Sequence, residues 1–137
     1  MPKQNKFTDP VYGYTFHLFL GEKGFAHINK HFNHIVGLAP THRMTTGKCL
    51  FVEDFKYTTK LYSDINTLVG LYFSELFLSL SENEQAAIIA HECYHLTERC
   101  LPACGVDIIW GSYNEHIAYY LTFLVENYTN LIYAKKG

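Results

Sequence analysis

The stretch AHECYHLTERC, residues 90–100, sets two histidines four apart with a glutamate directly after the first. Its upstream neighbour Ser81, with Glu84 three residues on, has the pattern of a capping box, and an apolar run follows. The pattern predicts a helix from about residue 81 to about Arg99, ahead of Pro102 and Gly105. On such a helix Ile89, Cys93, Leu96 and Cys100 form one core-facing stripe, and Ala86, Ala87 and Ala90 leave room for close approach. His91 and His95 project from the other side, one turn apart, where both imidazoles can reach a single ion at the ~2.0–2.1 Å that zinc prefers. Glu92 is rotated by about 100° from His91, too far round to be a ligand on that face but suited to take a proton from water beside it. The pentapeptide alone leaves a second account open, a polar histidine pair with a solvated glutamate.

The rest of the chain predicts an α+β domain spanning residues 1–137 without linker or repeat. Tyr12, Tyr14, Phe16, Leu18 and Leu20 alternate as on a strand, which Gly21 and Gly24 then break. Phe25, Ile28, Phe32, Ile35 and Val36 share one face of a helix over 25–36. Residues 48–58 read as a second strand, and Ile65, Leu68, Val69, Tyr72, Leu76 and Leu80 as a helical stripe over 64–80. Ser112 with Glu115 predicts a last helix through about Tyr133, faced by Ile117, Leu121, Leu124, Tyr128, Leu131 and Ile132.

Composition narrows the class. With 48% hydrophobic and 18% charged residues, the chain can build a core and does not resemble a disordered segment. A net charge of −2, with no run of Lys or Arg, gives no reason to expect a nucleic-acid partner. The polar start MPKQNKFTDP leads into no signal-peptide core, and no segment approaches the ~20 apolar residues of a membrane span. The expectation is a cytoplasmic protein whose four cysteines (49, 93, 100 and 104) are free thiols.

A metal site needs a third protein ligand. Glu115 lies 20 residues after His95, although as the third residue past Ser112 it has a capping role of its own. The stretch Asn114-Glu115-His116-Ile117, followed by Leu124-Val125-Glu126-Asn127-Tyr128, resembles the glutamate helix of thermolysin and other gluzincin peptidases, as do the spacing from His95 and the position of Gly111. The resemblance covers residues 90–128. It implies a small, helix-rich zincin-like domain with a short sheet, the HExxH helix and a C-terminal glutamate helix. It further implies Zn²⁺ held by His91, His95 and Glu115, with Glu92 as general base in the hydrolysis of a peptide or protein substrate. Two departures stand out. Tyr119 occupies the place of the aspartate that supports the first zinc histidine in that family, and residues 117–137 contain no counterpart of its later histidine. A tyrosine or His116 would have to supply the oxyanion donor.

Two further sets of residues compete for attention. Cys49, in Gly47-Lys48-Cys49-Leu50-Phe51, resembles the third ligand of the peptide deformylases, which also use HExxH, but only the Cys-Leu pair of their motif is present. His27, His31 and His34 share a helix face that reads as solvated, with no carboxylate in the stretch, and His17 and His42 have no evident partner. A zinc-containing binding or regulatory protein without useful turnover is the alternative from outside the enzymes.

Overall fold

In the computed structural model, which describes residues 5–32, 46–53, 67–106 and 115–134, one strand carries the architecture. Residues 68–73 are buried without interruption, so both faces of this segment are covered. It is the strand β4 (Thr67–Phe73), paired in parallel with β2 (Thr15–Leu20) and antiparallel with β3 (Gly47–Glu53). A three-residue strand, β1 (Lys6–Thr8), adds antiparallel to β2, giving a four-stranded mixed sheet in the order β1-β2-β4-β3. Where the apolar stripe predicted a helix over 64–80, the structure therefore has β4 followed by only a short helix, α2 (Glu75–Leu78). A central strand buried on both faces is apolar at every position, and such a run mimics a helical stripe. Gly70 fits the strand assignment, because a Cβ there would collide with the backbone carbonyl of His17 on β2.

Side chains alternate across the sheet as a pleated ribbon requires. Phe19, Leu50, Leu68 and Tyr72 face one side and pack with Phe25 and Ile28 of α1 (Gly21–His31). Phe16, Leu18, Val69, Leu71 and Phe73 face the other side. There they meet α3 (Glu82–Ala103) and α4 (Glu115–Tyr133) through Ile89, Leu96, Leu101, Leu124 and Tyr128. Among the described residues the result is an α+β domain of three layers, with α1 on one face of the sheet and α3 and α4 on the other.

The capping box forms as its pattern predicts. The Glu84 N–H donates to Ser81 Oγ at 3.3 Å, and the Ser81 N–H donates to Glu84 Oε1 at 3.3 Å. The helix runs four residues beyond the predicted end at Arg99. Pro102 lies in its final turn, where it forfeits one backbone bond, and the N–H groups of Gly105 and Val106 then bond back to the carbonyls of Pro102 and Leu101. Helix α1 starts at Gly21, which the sequence had marked as a break. Gly21 has a φ of +62°, and the Glu75 carboxylate accepts the N–H of Glu22 at 3.0 Å, satisfying the first turn from outside the helix. Residues 11–14, predicted as the start of the strand, belong instead to a turn over 9–14 in which Asp9 Oδ1 accepts the Val11 N–H at 2.7 Å. Residues 33–36, 54–58, 64–66 and the Ser112 capping box lie outside the described residues.

Candidate metal centre

Helix α3 sorts its residues into two roles. Ile89, Cys93, Leu96 and Cys100 are fully buried, as their spacing predicts, and pin the helix to the sheet. That packing turns His91 and His95 outward, with side chains 67% and 46% exposed. Their Nε2 atoms converge to 3.1 Å. Two nitrogens bound to one tetrahedral ion at ~2.05 Å and ~109° lie about 3.3 Å apart, so the pair is already close to the spacing of two zinc ligands. The pair fits the metal and faces solvent, which leaves it accessible.

Glu92 sits beside this pole on the sheet side of the helix. Its Oε1 is 3.9 Å from His91 Nε2, and the residue is only 8% exposed. Its carboxylate also accepts the backbone N–H of Cys49. Among the described residues β3 pairs with β4 alone, and Glu92 ties α3 to the outer side of β3 through that amide. Burial raises the Glu92 pKa above the ordinary carboxylate value, opposed by the His91, His95 and Lys48 charges and by the Cys49 amide.

The structure does not bring the expected third ligands to the histidine pair. Among the described residues, no group of three or more His, Cys, Asp or Glu side chains is assembled that could hold a metal ion. The register of the two helices accounts for Glu115. Tyr133 bonds Gln85 at 2.6 Å, and Tyr120 lies within electrostatic reach of Cys100, so α3 and α4 run antiparallel. In that register position 115 lies opposite residue ~104, about nine residues and ~13 Å along the axis beyond His95. Glu115 is exposed at the first residue of α4. Cys49 packs against the core beneath α3. Burial first, and then the Glu92 charge, push its thiol up to about 12, against the opposing charges of Arg99 and Lys48. A thiol held protonated in this way is a weaker metal donor than a thiolate.

The other candidates separate from this site. His116 Nε2 lies 2.6 Å from the Tyr12 hydroxyl. Both line an apolar cleft of about 220 Å³ between the 9–14 turn and α4, which also includes the 71%-exposed Tyr119. Below it Tyr120 donates to the buried Asp9 carboxylate at 2.9 Å. On α1 the rings of His27 and His31 are 4.4 Å apart, and His34 lies outside the described residues. Burial, then the neighbouring His31 and Lys30, lower the His27 pKa. His17, for which the sequence offered no partner, stacks on Phe19 at 5.8 Å, and burial, then the charges of Lys6 and His27, lower its pKa. None of the four cysteines is joined in a disulfide.

One neighbour of the pair went unread in the sequence. Glu98 Oε1 is 3.4 Å from His95 Nδ1, three residues further along the same helix face. The spacing alone was the available signal. No family model, curated protein or solved structure matches this chain.

Proposed function

We propose that this protein is a zinc-dependent hydrolase of peptide bonds, with His91 and His95 as metal ligands and Glu92 as general base. The observation that carries the proposal is the convergence of the two Nε2 atoms at 3.1 Å with a buried carboxylate 3.9 Å away. Glu115, the third ligand that the motif spacing implies, stands ~13 Å along the helix axis beyond His95, so the reading rests on the two histidines and Glu92. Zinc, when bound, supplies Lewis-acid polarisation of a carbonyl and lowers the pKa of water toward ~7.

The chain's own groups do the rest. The two Nε2 atoms converge on one point, and to hold an ion there both histidines must be neutral and present their Nε2 lone pairs to it. Glu92 takes a proton from water at that pole and returns it to the leaving amine. Its raised pKa brings it closer to the range in which a carboxyl both accepts and donates near neutrality. Strand β3, paired among the described residues with β4 alone, runs beside the site, its Cys49 amide held by Glu92. Among the described residues no helix is long and apolar enough to cross a membrane.

The test pairs metal analysis with the Glu92→Gln variant. A hydrolase keeps its zinc and loses turnover of a peptide library, and retained cleavage in the variant overturns the mechanism. A second reading, a zinc-containing binding protein, draws support from the bond between Glu92 and the Cys49 amide, which gives the glutamate a structural task of its own. In that case the wild-type protein binds zinc and cleaves nothing.

A further inference from the structure

We infer that the cleft between the 9–14 turn and α4 is a binding site for a small methylated ammonium cation, about the size of choline. The inference stands apart from the zinc reading, and no residue of the histidine pair takes part in it.

The cleft encloses about 220 Å³. Sites for drug-sized ligands span about 300–1,000 Å³, so the occupant is smaller than those. The walls are aromatic rings, Tyr12 from the turn and Tyr119, Tyr120 and Phe123 from two successive turns of α4. Tyr12 and Tyr120 lie 5.8 Å apart and inclined at 60°, and Tyr120 and Phe123 lie 6.2 Å apart and inclined at 42°. Rings set at such angles make a concave wall and not a stack. Their faces carry the negative part of the ring quadrupole, which attracts a cation within about 6 Å of the ring centre.

A charge lies at the base of this wall. Asp9 lines the cleft and is only 2% exposed. Its Oδ1 accepts the Val11 N–H, and its Oδ2 accepts the Tyr120 hydroxyl. Among the described residues no Lys or Arg pairs with it. Burial first, and then the Cys100 charge and the bond to Asp9, raise the Tyr120 pKa, so the phenol keeps its proton and the negative charge stays on Asp9. A buried carboxylate without a cation is unfavourable, and a cation in the cleft relieves it.

The same bonds choose among cations. Both Asp9 oxygens are engaged by Val11 and Tyr120, and the Tyr12 hydroxyl lies 2.6 Å from His116 Nε2. A primary ammonium brings N–H donors that need acceptors, and leaving them unmet in an apolar cleft is unfavourable. A quaternary ammonium has no donor and turns only methyl groups to the rings. The competing account gives Asp9 to the turn alone and treats the cleft as a gap between packed rings.

The test titrates the full ¹⁵N-labelled chain at constant ionic strength and follows the amide signals of Val11, Tyr12, His116 and Tyr119. The probes are choline, ethanolamine, and the neutral isostere in which a tert-butyl group replaces the trimethylammonium. Choline should shift these signals saturably and bind about 10-fold more tightly than either analogue. Asp9→Asn keeps the shape, removes the charge, and should bring choline down to the affinity of the neutral isostere. Position 119 is exposed, so its variants keep the test decisive if that buried change unfolds the chain. Tyr119→Trp should tighten choline binding, and Tyr119→Ala should weaken it about 2- to 5-fold. Equal binding of choline and either analogue, or no saturable shift with choline, overturns the inference. Tighter binding of N-acetyl-trimethyllysine amide than of choline overturns the assignment to a small molecule and gives the cleft to a methylated side chain.

Discussion

Replacing Glu92 by alanine and by glutamine should separate its two roles. The residue is 8% exposed, and its carboxylate accepts the Cys49 N–H on the outer side of β3. Alanine strands that amide beneath α3, and an unpaired buried donor costs about 1–3 kcal/mol. For a chain of this size 1 kcal/mol moves the Tm by roughly 3–5 °C, so Glu92→Ala should melt several degrees below wild type. Glutamine keeps an acceptor and removes the buried charge. Burial raises the Glu92 pKa, so the folded chain holds that proton more tightly than the unfolded chain does. The associated stability is fully present below the unfolded carboxylate value and is lost as pH rises through the raised folded value. Glu92→Gln should therefore match wild type below pH ~4 and exceed it at pH 7. Urea unfolding of the metal-free proteins between pH 4 and 8 reads both effects. A glutamine variant as unstable as the alanine variant, or a difference from wild type that does not change with pH, would refute this account of Glu92.

Two other expectations concern the third ligand and the sheet. Zinc retained by purified Cys49→Ala and lost from Glu115→Ala supports the assignment of Glu115, and the opposite outcome transfers the position to the cysteine. Gly70→Ala should destabilise by about 2–3 kcal/mol in thermal melts, because a Cβ cannot be accommodated against the His17 carbonyl without parting β2 from β4. A change below about 0.5 kcal/mol would mean that the two strands are not held at that separation.

What the sequence disclosed depended on whether the deciding physics was local. The capping box at Ser81 and the apolar stripe of α3 are properties of neighbouring residues, and both stand in the structure. The outward turn of His91 and His95 follows from that stripe. Strand β4 was legible as apolar but not as a strand, since burial on both faces erases the alternation that identifies one. Helix α1 begins at Gly21 because of a carboxylate 53 residues away, which no local pattern encodes. The separation of Glu115 from the pair is likewise a matter of helix register, set by contacts such as that of Tyr133 with Gln85. Glu98, by contrast, lay in plain view at a helical spacing from His95, and its carboxylate stands 3.4 Å from Nδ1.

The central claim is that one metal ion sits between His91 and His95. Crystals grown with one equivalent of zinc and measured at the zinc absorption edge test it directly. The account predicts an anomalous peak ~2.0–2.1 Å from both Nε2 atoms, with Glu92 beside it and outside the coordination shell. A peak elsewhere on the chain, or none at this pair, would contradict it.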